Sequence, residues 1–192
     1  MGENVAGDPN GFAGASEHSH QVALMAAVAH YVKYWKELGE QMQMQSLFPE
    51  QVVGHGYADA QAMFDYGESM LRLSRALKWY YAVPNGGDRG EESKSRDRRT
   101  AMIRGANMKA EGTKKGISDT CLPVARRGYH GLYIEMKAPG KLSGESKEQK
   151  EFGAQLASEG YLYAVFDSWA KAMRAIMWYL DFEHCLAWEL PD

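Results

Sequence analysis

Residues 116–137 read GISDTCLPVARRGYHGLYIEMK, and the pattern of this stretch decides the fold. Side chains alternate faces along an extended chain. In GLYIEMK (131–137), Leu132, Ile134 and Met136 therefore share one face, while Tyr133, Glu135 and Lys137 share the other. The first set can enter a core, and the second stands an acid beside an amine. The apolar run ISDTCLPV (117–124) carries Asp119 near its head, and RRGYHG (126–131) links the two runs as a hairpin with Arg126 and Arg127 at its exposed tip.

Working outward, residues 1–15 are rich in Gly, Asn and Asp without periodicity and read as a flexible lead-in. Ser16 is a suitable N-cap for a first helix. From it Glu17, Gln21, Leu24, Met25, Val28, Tyr31, Val32 and Trp35 recur along one helical stripe. Glu17 thus lies on the side that the apolar residues bury, where a carboxylate is costly unless it is paired or bound to a metal. At the first turn it could also reach solvent and favour the helix dipole. His18 and His20 read as surface residues. LFPEQVVGHGYADA (47–60) reads as a connection, and a second helix is expected from about residue 58, with Met63, Gly67, Met70, Leu71, Ser74 and Leu77 along one side as core or dimer contact. WYYAV (79–83) suits a strand that ends at the turn PNGG (84–87). A polar, basic helix is expected over 93–109. EGTKKGIS (111–118) is a Gly-containing loop able to bring Lys114 and Lys115 near a phosphate.

Beyond the hairpin, Ser146 and Gln149 form the S-x-x-Q pattern of a capping box, opening a helix that ends at Gly160. YLYAVF (161–166) is the last strand. Asp167 or Ser168 starts a closing helix whose Trp169, Ala172, Met173, Ile176, Met177 and Leu180 face inward. The order predicts an α/β domain with a mixed central sheet flanked by helices. Residues 16–192 read as one domain, a size sufficient for a sizeable core.

An acid followed by an ExK strand is a weak signal alone, since alternating charges often mark a solvated face. Its company is more specific. PNGGDR (84–89), NMKAEGTKKGISD (107–119), the ExK strand, SKEQKEF (146–152) and GYLYAVFDSWAKAMRAIMWYL (160–180), in this order, resemble the virus-type replication-repair nuclease (VRR-NUC) family of the PD-(D/E)xK nucleases. EHSHQVALMAAVAHY (17–31) resembles that family's opening helix, whereas about 36–77 looks like a helical insertion. The resemblance implies a restriction-endonuclease-like fold and a stand-alone nuclease of the phage type.

It also implies roles. Asp119, Glu135 and the carbonyl of Met136 would bind Mg2+ or Mn2+, with Glu17 binding directly or through water. These are the hard oxygen ligands such ions take. Lys137 would stabilise the pentavalent phosphorus or help deprotonate the attacking water, and Gln149 would orient that water. Gln149 has a competing role as the capping residue of its helix. The substrate expected is branched DNA, cut as a Holliday junction by a homodimer; a monomeric flap or nicking nuclease and an inactive DNA-binding accessory protein are the alternatives. The DNA contacts expected are Asn85, Arg89, Arg104, Lys109, Lys114, Lys115, Arg126, Arg127 and Lys150.

Composition sets bounds on this reading. The formal charge is −3, yet residues 89–127 hold eleven Lys or Arg against five acids, an excess able to steer a polyanion towards the acidic site. No run approaches the roughly 20 apolar residues of a membrane span, and the N-terminus has no signal-peptide pattern. A soluble protein of the bacterial or phage-infected cytoplasm, with no membrane partner, is expected. Cys121 and Cys185 are the only cysteines and lack CxxC spacing, so neither a disulfide framework nor a thiolate zinc site is supported. There is no Walker loop, GxGxxG or HExxH, which leaves a nucleotide cofactor and zinc proteolysis without support.

Overall fold

The structure, a computed structural model, describes residues 16–84, 106–107 and 109–182, with the backbone alone at Pro49. Residues 1–15, the PNGG turn beyond Pro84, most of the expected basic helix, and Asn85, Arg89 and Arg104 lie outside the described residues.

The first helix, α1 (Glu17–Gln45), begins where Ser16 caps it, its side chain accepting the N–H of Ser19. The segment read as a connection contains a short helix, α2 (Pro49–Gly54), started by the proline's preset φ and missing donor. Helix α3 (Ala60–Leu77) follows, capped by the Asp59 carboxylate on the N–H of Ala62, two residues later than expected. Helices α1 and α3 run antiparallel: Ser74 Oγ donates to the carbonyl of Val32, and Gly67 lies against Gly39 farther along. A Cβ on Gly39 would stand 2.7 Å from the carbonyl oxygen of Gly67, so the pair permits backbone contact between the helices. Met63 and Met70 point into the interior, Met63 with Met42 and Val52 in a small satellite core. The methionine stripe is therefore core and offers no outer face for a partner.

The sheet contains β1 (Tyr81–Ala82), β2 (Thr120–Leu122), β3 (Leu132–Met136) and β4 (Leu162–Phe166), in that spatial order. The first three are antiparallel neighbours and β4 runs parallel to β3. Antiparallel neighbours can be joined by a tight turn, whereas a parallel pair needs a crossover, which α4 (Lys147–Ser158) supplies between β3 and β4. The hairpin tip is a two-residue turn at Arg127 and Gly128, both with positive φ, closed by paired backbone bonds between Arg126 and Tyr129. That twist matches the strands it joins.

One sheet face, with Leu122, Leu132, Ile134 and Met136 fully buried, meets α1 through Leu24, Val28 and Trp35 and meets α5 (Trp169–Tyr179) through Met173 and Ile176. Each such buried side chain contributes roughly 1.5–3 kcal/mol. The opposite face is covered by α4: the Phe152 ring packs edge-on to Tyr133, and Gly153 lies against the ring of Tyr163. The result is an α/β fold, a mixed four-stranded sheet flanked by helices. Among the described residues no helix is long and apolar enough to cross a membrane.

Candidate metal centre

The register places Thr120 opposite Ile134, so Asp119 stands beside Glu135 at one end of the hairpin. Asp119 is fixed in two ways. Its carboxylate accepts the N–H of Met136 at 2.8 Å, and its carbonyl accepts the N–H of Val83 at 2.8 Å and the Gln21 side-chain amide at 3.5 Å. Glu17 arrives from the first turn of α1. One carboxylate oxygen from each of Glu17, Asp119 and Glu135 lies within 4.8 Å of the others.

Glu135 and Lys137 are 1% and 7% exposed. The alternating charges of β3 are thus the reverse of a solvated face, because α4 lies over them. Lys137 Nζ is 2.8 Å from Glu135 Oε1 and 3.0 Å from Gln149 Oε1. Gln149 Nε2 donates to Glu135 Oε1, completing a triangle of side chains. Gln149 Oε1 also accepts the N–H of Ser146 at 2.9 Å, while Ser146 Oγ accepts the N–H of Gln149. The capping role of Gln149 is therefore observed, and the same rotamer that closes the capping box also reaches Glu135 and Lys137.

Glu135 Oε2 is buried with no hydrogen-bond partner. An orphaned carboxylate oxygen is expensive in a protein interior. Burial, and next the negative charge of Asp119, push the Glu135 carboxyl up to about 7, against the lowering effect of Lys137. A divalent cation would remove both penalties. The donors are all carboxylate oxygens, which suit Mg2+ or Mn2+ better than a soft metal.

The other expected residues divide by position. Gly116, at φ +79°, packs on the first turn of α4; a Cβ there would meet Glu148 Cβ at 2.4 Å. This contact sets the exposed Lys114 and Lys115 beside the helix that carries Gln149, and Lys150 is exposed one residue farther along. Lys109 is exposed as well. Arg126 and Arg127 are at the opposite end of the hairpin, beyond three residues of β3, about 10 Å of strand. Arg127 is engaged there: its guanidinium lies 4.4 Å from the Trp178 ring centroid, pairs with Asp181 at 3.0 Å, and donates to the carbonyl of Trp178.

Two residues of the centre's surroundings were not anticipated. His20, expected on the surface, is 3% exposed, and its Nδ1 accepts the N–H of Trp169 at 3.4 Å. The signal was present in the spacing: position 20 precedes Leu24 by four, on the buried stripe. Tyr80 is buried, and its hydroxyl donates to Thr120 Oγ1 at 2.6 Å, bracing the strand that starts after Asp119. No local pattern distinguishes it from its neighbours Trp79 and Tyr81, which are exposed.

The fold and the donor set together define a carboxylate centre with an adjacent lysine, mounted on the hairpin of a mixed sheet. Among solved structures, this chain is similar to one described as a VRR_NUC domain protein, with 27% identity over 56% of this chain and 71% of that chain, at a TM-score of 0.41. No family model matches the chain, and no curated protein matches it.

Proposed function

We propose that this chain is a Mg2+- or Mn2+-dependent DNA endonuclease of the VRR-NUC type, hydrolysing phosphodiester bonds. The observation that carries the reading is the convergence of Glu17, Asp119 and Glu135, with a buried Glu135 oxygen left unbonded and Lys137 alongside. Glu17, Asp119 and Glu135, with the carbonyl of Met136, would hold the ion. Bound there, it supplies an acidified water and neutralises charge on the phosphoryl oxygens.

The chain's own groups do the rest. Lys137 engages two acceptors among the described residues and carries three N–H donors as an ammonium, which leaves one for a phosphoryl oxygen in the transition state. Gln149 uses one amide N–H on Glu135, and the second orients the attacking water. Lys114, Lys115 and Lys150 neutralise flanking phosphates, whereas Arg126 and Arg127 stand too far along the hairpin to touch the scissile one.

The substrate we infer is branched DNA, with a four-way junction cut by a homodimer, because two opposed strands suit two sites related by a two-fold axis. The burial of Met63 and Met70 favours keeping a second reading, a monomeric flap or nicking nuclease, since it withdraws one surface that would serve a dimer. Exposed Met44, Leu47, Phe48 and Val53 at the far end of α1 and on α2 remain for one. The cytoplasm of a bacterial or phage-infected cell suits either.

The test is cleavage of labelled four-way junction, 5′-flap, 3′-flap and linear duplex DNA with Mg2+ or Mn2+, comparing wild type with Lys137→Ala. Paired symmetric junction cuts that need metal and vanish in the variant support the dimeric resolvase. Cutting confined to flaps selects the monomeric reading, and binding without cutting refutes catalysis.

A further inference from the structure

Of the three carboxylates at the centre, only Glu17 comes from outside the β2–β3 hairpin and the residue that leads into it. It stands in the first turn of a helix, and helix termini fray. Its N-cap, Ser16, is exposed. Something farther in must hold that turn against the hairpin. Two side chains of the next residues do so. Gln21 reaches the carbonyl of Asp119, a long contact at 3.5 Å. His20, three residues after Glu17 and buried, accepts the N–H of Trp169 at Nδ1.

The second contact also answers a need of the other helix. Trp169 is the first residue of α5, whose N-cap Ser168 makes no side-chain capping bond. The early N–H groups of a helix lack intrahelical partners and are commonly satisfied by a capping side chain. Here the imidazole of α1 takes that place. Trp169 itself is 2% exposed, and β4 ends at Phe166, just before α5, with the carbonyl of Phe166 accepting the N–H of Lys137. One imidazole thus ties the turn bearing Glu17 to the chain segment that also secures the lysine's backbone.

We propose that His20 is a positioning residue for the metal centre: by capping α5 from α1, it holds Glu17 in register with Asp119 and Glu135. It touches neither substrate nor ion. The proposal rests on the metal reading of the carboxylates, and its test separates the two.

Wild type, His20→Ala and His20→Asn are compared by amide hydrogen exchange without metal and by calorimetric titration with Mn2+, at a temperature where all three are folded. Asparagine keeps an acceptor near the position of Nδ1. Removing the acceptor is expected to speed exchange at residues 20–24, whose N–H groups bond the carbonyls of the first turn, and to weaken Mn2+ binding by about 10-fold or more, the scale of an outer-sphere partner. His20→Asn is expected to recover most of both. A residue of merely structural importance would lower the melting temperature of His20→Ala and leave the Mn2+ affinity of the folded protein unchanged; that result overturns the proposal. Unchanged exchange at residues 20–24 overturns it too. If wild type binds no Mn2+, the metal reading itself falls, and with it the positioning role.

Discussion

Replacing Asp119 by Asn should make the metal-free protein more stable while disabling the centre. The three carboxylates approach within 4.8 Å, and at that distance two unit charges repel by about 3.5 kcal/mol at an effective dielectric constant near 20. Asp119 faces two such neighbours. The Lys137 ammonium cancels roughly one of these repulsions, and solvent around half-buried Glu17 screens part of the rest, so a net gain of about 2 kcal/mol is expected. The amide oxygen of Asn can still accept the N–H of Met136, so the strand contact is retained. In a chain of 192 residues this gain raises the melting temperature by about 4–8 °C.

The pH dependence has a determined sign. The folded Glu135 carboxyl is raised from its ordinary 4.5 to about 7. Between those values the folded protein holds a proton that the unfolded chain has released, so stability falls as pH rises through the window. Above it the full penalty, about 3 kcal/mol, is present. Asp119→Asn removes the second cause of that shift and leaves the first, burial, so its stability should fall less steeply over the same range. Thermal unfolding in EDTA at about pH 5 and pH 8 measures this, and repetition with Mn2+ completes it. Wild type should gain about 2.7 kcal/mol at a Mn2+ concentration a hundredfold above its Kd, and the variant far less. A variant less stable than wild type in EDTA at the higher pH, or one stabilised equally by Mn2+, would refute the reasoning.

Ser146→Ala should cost about 1 kcal/mol through the lost cap yet change Mn2+ affinity little, whereas Gln149→Ala should lose both the cap and the contacts to Glu135 and Lys137; unfolding and calorimetry on the pair separate these effects. Gly153→Ala would place a Cβ 2.6 Å from the Tyr163 ring and force it off its seat and away from Glu145, so a loss of about 1–3 kcal/mol is expected by chemical denaturation, with an unchanged midpoint contradicting the packing.

Elements specified by local chemistry were legible in the chain. The capping box at Ser146 and Gln149, the N-cap at Ser16 and the period-two alternation of β3 each depend on residues within four positions of one another, and each is found where the pattern put it. The period of β3 placed Glu135 beside Lys137, the motifs along the rest of the chain singled out Asp119 with them through the family resemblance, and the observed hairpin register brings the three together. Glu17 was visible only as an acid on an apolar stripe.

What the tertiary structure alone decided depends on contacts between residues far apart in sequence. Helix α4, laid across the sheet by the crossover, turns the charged face of β3 from a surface into an interior and raises the Glu135 carboxyl. The same placement lets Gln149 close its capping box and contact Glu135 and Lys137 at once. The burial of His20 and its bond to Trp169 join positions 149 residues apart. Arg127, read from the sequence as an exposed DNA contact at the hairpin tip, is engaged with Trp178 and Asp181. Periodicity shows which side of an element is turned inward, but the partner waiting there is chosen by packing, and the burial that sets a charge's cost exists only once the layers have met.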